Sequence, residues 1–175
     1  MIIDKNLLDQ VSAQAKVSPR LRMNYNFHQS LEDKCHRFLN AVEPGTVVPI
    51  HRHPTKDESF VILRGKVRVT THNDDGSVIE DVVLSQESGN YGVDIPKNVW
   101  HKLESLESGS VIFECKEGPF VEHEVEGILE VKVRNSTSSK KPPPATHFQT
   151  SSSMTSKTTS LMKKTKFINE IGLFH

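Results

Sequence analysis

The first stretch of the chain has the hydrophobic spacing of an amphipathic helix. Over residues 4–16, the apolar side chains that fall on one helical face are Leu7, Leu8, Val11 and Ala15. Asp4 is suited to cap the start of the helix. Ser18-Pro19 should end it, because the residue before a proline disfavours helical backbone angles. The pattern therefore predicts one short N-terminal helix.

The next segment alternates strictly between polar and apolar residues, which is typical of a β-strand. The polar positions share one face: Arg20, Arg22, Asn24, Asn26 and His28. The apolar positions share the other: Leu21, Met23, Tyr25 and Phe27. A wholly polar face contacts either solvent or a polar pocket. In a pocket, the arginines would suit a carboxylate or phosphate, since guanidinium groups donate paired hydrogen bonds.

Residues 37–116 alternate short apolar runs with turn signals. The runs are RFLNAV, TVVPIH, SFVILR, KVRVTTH, SVIEDVVL, YGVDIP, VWHKLE and SVIFECK. Asp75-Gly76 is a favourable hairpin turn. Many short strands at even spacing predict an all-β sandwich or barrel, and closure into a barrel would remove exposed strand edges.

The amino-acid composition of the C-terminal part differs from that of the predicted barrel. Residues 136–160 contain 14 serines or threonines and a triple proline, so little of this segment can be buried. We expect an N-terminal helix at 1–17, a barrel at 18–120, an extension of the barrel edge at 121–135, and a Ser/Thr/Lys-rich disordered tail at 136–175.

Charge, apolar content and cysteine usage indicate which kinds of partner and which cell compartment to expect. The net charge is zero, with a basic tail and a mildly acidic body, so nucleic acid binding is not expected. No apolar run is long enough for a membrane span, and the N-terminus lacks the apolar stretch of a signal peptide. Two cysteines without a CxxC pair fit a reducing compartment. We therefore expect a cytoplasmic protein.

The strongest chemical signal lies in residues 45–65. His51 and His53 are two apart, so on a strand both imidazoles would point to the same side. Glu58 opens the next apolar run, and His101 begins a later one. Three imidazoles and one carboxylate suit one divalent ion such as Fe, Mn, Zn or Ni.

These residues resemble the two motifs of the cupin superfamily. The first motif matches at every position, as Gly45-x5-His51-x-His53-x4-Glu58-x6-Gly65. The second matches at Pro96 and His101. Asn98 stands where a glycine is usual, but asparagine tolerates positive φ better than most residues. Gly89 lies one place early, and Ser105 replaces the usual final asparagine. The resemblance implies a single cupin, a double-stranded β-helix or jelly-roll barrel.

A more specific resemblance covers residues 18–120. The strings SPRLRMNYNFH, HRHPTKDESFVILRGKVRV and GVDIPKNVWHKLESLESGSVIFECKEGPF are similar to the WbuC family of cupin-fold metalloproteins. This resemblance implies a metal ion and a link to bacterial surface-polysaccharide metabolism. It implies no particular reaction.

Two classes of function remain open from the sequence. The first is a metal-dependent enzyme acting on a small polar molecule such as a sugar or sugar nucleotide, of isomerase, epimerase or iron-dependent oxygenase type. The second is a non-catalytic module that binds a small molecule; either could be a homodimer. Candidate substrate-binding residues are Arg20, Arg22, Asn26 and Lys56. Weak candidates for proton transfer are His28 and Tyr25. The remaining histidines are expected at the surface: His36, His72, His123, His147 and His175.

Overall fold

The computed structural model describes residues 1–121. The helix α1 occupies Lys5–Val17. It is followed by the strands β1 Arg22–Asn26, β2 Cys35–Val42, β3 Glu58–Arg64, β4 Val67–His72, β5 Val78–Leu84, β6 Gly92–Ile95, β7 Trp100–Ser105 and β8 Ser110–Glu117. The barrel-edge extension and the disordered tail predicted from the sequence lie beyond residue 121, outside the described part of the chain.

The strands form two antiparallel sheets. The larger has the order β1-β2-β8-β3-β6 and the smaller the order β5-β4-β7. Asp75-Gly76 makes the predicted hairpin turn between β4 and β5, with Gly76 at φ 85°. We call the face of each sheet that looks towards the other sheet its inner face.

Two apolar layers stabilise this arrangement. The inner layer joins both sheets, and its buried residues are Val42, Phe60, Ile62, Val67, Val69, Leu84, Ile95, Leu103 and Ile112. The outer layer lies between α1 and the outer face of the larger sheet, and its buried residues are Val11, Ala15, Leu39, Ala41 and Val111. The larger sheet therefore buries apolar side chains on both of its faces.

The helix forms and packs as its sequence predicts. The Oδ1 of Asp4 accepts a 2.9 Å hydrogen bond from the backbone N–H of Leu7, which caps the first turn. The last residue is Val17, directly before Ser18-Pro19. Arg64 then fastens the helix to the barrel, because its guanidinium donates to the Asp9 carboxylate at 2.6 Å and to the Leu8 carbonyl at 2.7 Å.

The segment TVVPIH differs from its prediction. It is not a strand; the only ladder contact it makes among the described residues is an isolated bridge from His51 to His101. Pro49 has no N–H to donate to a neighbouring strand, and the side chain of Val47 is exposed. Within residues 1–121 the sheets accordingly do not close into one continuously hydrogen-bonded barrel, and β1, β5, β6 and β7 are the outermost strands of the two sheets.

The prediction that His36 and His72 lie at the surface is wrong, because both side chains are buried. The Nε2 of His36 lies 3.1 Å from the Leu31 carbonyl. The two ring nitrogens of His72 contact the Thr70 hydroxyl at 2.9 Å and the Gly76 carbonyl at 3.2 Å. These backbone and hydroxyl partners replace the water that a surface histidine would bind.

Within residues 1–121, no helix is both long enough and apolar enough to cross a membrane.

Candidate metal centre

Three separate chain segments bring the four predicted ligands together. His51 and His53 lie on the connection between β2 and β3, Glu58 is the first residue of β3, and His101 is the second residue of β7. His51 and His101 exchange two backbone hydrogen bonds of 3.0 and 2.8 Å, which hold the connection beside β7. Glu58 stands opposite Ile95 on β6 and Lys116 on β8, so its carboxylate starts from the inner face.

The four side chains form a compact cluster. One ligand atom from each of His51, His53, Glu58 and His101 lies within 4.8 Å of every other. The Nε2 of His101 is 2.5 Å from the Oε1 of Glu58, and the Nε2 of His53 is 3.6 Å from the Oε2 of Glu58. All but the partly buried His51 are nearly inaccessible to solvent. The structure therefore brings the four residues of the predicted metal site together, and their role as metal ligands stays a prediction.

Backbone carbonyls determine which ring nitrogen of two histidines can bind a cation. The Nδ1 of His51 lies 2.9 Å from the Pro49 carbonyl, and the Nδ1 of His101 lies 2.9 Å from the Val99 carbonyl. A carbonyl oxygen can only accept, so each Nδ1 carries the proton that it donates. The lone pair of each neutral ring is then on Nε2, the arrangement typical of metal-binding histidines.

The electrostatics of the cluster favour a cation between its members. Burial and the neighbouring His101 lower the pKa of His51 to about 3, so this ring is neutral at ordinary pH. Burial alone would raise the pKa of Glu58, but the contact with His101 and the charge of Lys116 outweigh it and hold the pKa well below its usual range. Burial opposes the protonation of His101, yet contact with Glu58 raises its pKa.

These residues fit a divalent metal ion. The Oε1 of Glu58 and the Nε2 of His101 are buried without a hydrogen-bond partner among the described residues, although they lie only 2.5 Å apart. Two acceptors at that distance repel each other unless a proton or a metal ion lies between them. Three imidazole nitrogens and one carboxylate suit a first-row transition metal or zinc.

The turn before β7 joins the two halves of the cluster. Asn98 has φ 68°, a conformation that asparagine tolerates better than most residues. Its backbone N–H donates a 2.7 Å hydrogen bond to the His53 carbonyl. The N–H of Lys97 donates to the Asp57 carboxylate at 2.6 Å. The turn therefore connects the loop that carries His53 with the strand that carries His101.

The polar face of β1 looks into the space between the sheets. Arg22 stands opposite Val42 and Asn26 opposite Phe38, and both of these partners have buried, inward-facing side chains. Arg22 is partly buried, whereas Asn26, at the end of the strand, is exposed. Burial and the nearby Arg20 charge lower the pKa of Arg22, while the charge of Glu114 raises it. Arg22 donates to the Val47 carbonyl at 3.4 Å. Arg20 lies before the strand, where its carbonyl accepts a 2.9 Å hydrogen bond from Thr46.

The other three candidates lie elsewhere. Tyr25 stands opposite Leu39 on the outer face of the sheet, in the layer beneath α1, so it is a packing residue and not a pocket residue. His28 stacks on His36 with ring centroids 4.3 Å apart. The Nζ of Lys56 donates to the Pro119 carbonyl.

Sequence reasoning missed three polar residues on the inner face: Asn40, Glu114 and Lys116. Glu114 is buried, with its carboxylate 3.4 Å from the Asn40 amide and 3.7 Å from the Lys116 ammonium. The available signal was a glutamate and a lysine two residues apart in the otherwise apolar run SVIFECK, and an asparagine inside RFLNAV. Polar residues at alternate positions of a buried strand share one face.

The curated proteins give no significant match. A family model described as Domain of unknown function (DUF6016) matches residues 3–84, which is less than half of the chain. Neither finding confirms the resemblance to the WbuC family, which stays a prediction.

Solved structures are more informative about the fold. CapF bound to 3-isopropenyl-tropolone gives a TM-score of 0.54 at 23% identity, over 64% of this chain and 32% of that chain. The capsular polysaccharide assembling protein CapF from Staphylococcus aureus gives 0.53 at 23% identity, over 65% and 31%. KdgF from Halomonas sp. gives 0.47 at 17% identity, over 60% and 85%. All are cupin-fold proteins. This chain has the cupin fold. It spans about a third of the length of the CapF structures it matches, and the likeness concerns the fold.

Proposed function

We propose that this protein is a metal-dependent cupin that acts on a small polar metabolite such as a sugar or sugar nucleotide. The observation that carries the proposal is the convergence of His51, His53, Glu58 and His101, whose ligand atoms all lie within 4.8 Å of one another. Buried imidazole and carboxylate groups without enough hydrogen-bond partners are costly, and a bound cation removes that cost.

The chemistry of the pocket follows from its donor set and its walls. A divalent ion acts as a Lewis acid that polarises a carbonyl or hydroxyl oxygen of a bound molecule. His51 and His101 would hold it through Nε2, with Pro49 and Val99 orienting the rings. The apolar inner layer between the two sheets borders the cluster and would exclude water from the bound ion.

The substrate class rests on the polar wall and on the sequence resemblance. Arg22 and Asn26 offer hydrogen-bond donors from the inner face of β1, and a donor-rich wall suits hydroxyl, carboxylate or phosphate groups. The WbuC resemblance implies surface-polysaccharide metabolism, and the name of CapF refers to capsular polysaccharide assembly. Sugars and their nucleotide derivatives combine these functional groups.

The deciding experiment measures metal in protein purified without added metal ions. We expect about one divalent ion per chain in the wild type, because all four ligands are in place. His51→Ala should lose most of it, and His28→Ala should keep it because His28 contacts His36 and not the cluster. Iron would indicate oxygen chemistry, whereas zinc or manganese would indicate isomerisation, hydrolysis or binding. Wild-type protein without metal, or His51→Ala with full metal content, would contradict the proposal.

A further inference from the structure

Glu114 is a buried acid on β8 that the metal cluster does not use. It is 2% exposed, and its Oε1 has no hydrogen-bond partner among the described residues. Its Oε2 accepts a 3.4 Å hydrogen bond from the amide of Asn40, whose own Oδ1 is also buried without a hydrogen-bond partner within residues 1–121. Buried polar atoms of native proteins are nearly always hydrogen-bonded. Two adjacent exceptions therefore indicate a place where a ligand or ordered water completes the bonding.

The strand register places Glu114 beside the metal cluster. Lys116 stands directly opposite Glu58, and Glu114 stands opposite Phe60, two residues further along β3. Glu58 and Glu114 are thus diagonal neighbours on the inner face, a relation that separates residues of an antiparallel pair by about 7–8 Å.

Charged and polar groups on five strands act on Glu114: Arg22 on β1, Asn40 on β2, Glu58 on β3, His101 on β7 and Lys116 on β8 itself. Burial raises the pKa of Glu114, Lys116 lowers it and Glu58 raises it, and the result is a pKa of about 7. A carboxyl group in this environment can both donate and accept a proton near neutral pH.

We propose that Glu114 is the acid–base residue of this pocket, which exchanges a proton with a ligand held at the metal cluster while Asn40 positions its carboxylate. The inference rests on the proposed metal site. In the step itself, the Oε1 of ionised Glu114 accepts a proton from a C–H or O–H bond of the ligand, and the bonding electron pair stays on the ligand. Glu114 then returns the proton to the same or a neighbouring atom, so that carboxylate and charge are restored and no oxidant or reductant is consumed.

The first test uses zinc alone as the probe. A bound divalent ion adds about one positive charge when it displaces the proton shared by Glu58 and His101, and at about 8 Å this lowers the pKa of Glu114 by about one unit. The zinc affinity of both proteins is measured at pH 6 and at pH 8. By linkage, the fold-increase in affinity should be about five times larger for the wild type than for Glu114→Gln. Competition with a chromophoric chelator measures both affinities. Glu117→Gln, an exposed glutamate on the same strand, is the matched control and should behave as wild type.

The second test asks whether Glu114 faces a ligand bound at the metal. Azide binding to the cobalt-loaded protein is followed by the change in visible absorption. Ionised Glu114 repels the azide anion and has no proton to donate to it. Between pH 6 and pH 8, the fold-decrease in azide affinity should therefore be about five times larger for the wild type than for Glu114→Gln. The amide of that variant keeps its donor at every pH.

The outcomes separate the two proposals. If the wild type binds no metal, the proposed function fails and the role of Glu114 with it. If metal binds and Glu114→Gln has the same pH dependence as wild type in either test, only the role of Glu114 is overturned. Should Glu114→Gln not fold, Lys116→Met decides in the azide test, where Glu58 is occupied by the metal ion. Removal of the nearby ammonium should move that pH step upwards, and an unchanged step would overturn the inference.

Discussion

At the scale of single residues, the candidate metal centre depends on backbone groups as much as on its ligands. The carbonyls of Pro49 and Val99 determine the lone-pair positions on two histidines. The N–H of Asn98 holds the His53 carbonyl at 2.7 Å. Asn98 can do so because its φ of 68° turns the chain sharply between β6 and β7. Its backbone conformation is therefore a requirement of the site.

This requirement gives a stability prediction for Asn98. Asn98→Ala should lower the free energy of unfolding by about 1 kcal/mol, because a Cβ without local polar contacts disfavours positive φ. Asn98→Gly should stay within about 0.5 kcal/mol of wild type, since glycine adopts this conformation readily. Denaturant unfolding of both variants measures the difference. The neighbouring Lys97→Ala serves as control, because only the backbone N–H of Lys97 contacts Asp57. Equal stability of Asn98→Ala and wild type would contradict the argument.

Single residues also show what the sequence could and could not predict about the site. The four ligands were predictable because a motif specifies their spacing, and Asn98 because few residue types tolerate its conformation. Glu114 and Asn40 were not, since neither belongs to a motif. Their importance depends on which strands lie beside them, and Asn40 on β2 meets Glu114 on β8 across 74 residues of sequence.

At the scale of elements, the packing of the larger sheet explains which strand faces could be predicted from the hydrophobic pattern. The sequence of β1 alternates clearly between apolar and polar residues. Met23 and Tyr25 pack in the outer layer, whereas Arg22 and Asn24 lie on the inner face. Strands β2 and β8 bury both faces, so their apolar residues form runs without alternation. The existence of such strands was predictable, but not the assignment of their inner and outer faces.

The outer layer, between α1 and the larger sheet, allows a test in which stability changes but metal binding does not. Leu39 is fully buried on the outer face of β2, beneath α1. Leu39→Ala should lower the free energy of unfolding by about 2–5 kcal/mol, because it leaves a cavity in a packed layer. The metal content of the folded fraction should remain that of wild type, since the cluster lies on the opposite face. Unfolding curves and metal analysis of the same preparation measure both quantities.

Val61→Ala is the matched control for this layer. Val61 lies on the same outer face, opposite Phe113, but its side chain is 44% exposed. Its truncation should cost less than about 1 kcal/mol, because surface substitutions change stability little. If the two variants were equally destabilised, α1 would not be the source of the stabilisation at Leu39.

At the scale of the whole molecule, the candidate ligands connect parts of the fold that are otherwise joined mainly by apolar packing. Glu58 belongs to the five-stranded sheet, His101 to the three-stranded sheet, and His51 and His53 to the connection between β2 and β3. No strand of one sheet pairs with a strand of the other within residues 1–121. A cation held by all four side chains would therefore fasten the two sheets to each other at the cluster.

The final prediction follows from this connection. A ligand that binds only the folded state stabilises it by mass action, by about 2.7 kcal/mol when its free concentration is 100 times Kd. For a chain of this length, that corresponds to a rise in Tm on the order of 5–10 °C. Differential scanning fluorimetry of chelator-treated protein, with and without added zinc, measures the shift. His28→Ala should show the full rise, because its ring stacks on His36 and contacts none of the four ligands. His51→Ala should show little, because it removes a ligand while leaving the apolar layers intact. A rise of the same size in wild type and His51→Ala would mean that zinc stabilises the protein at some other place and that the cluster does not join the sheets.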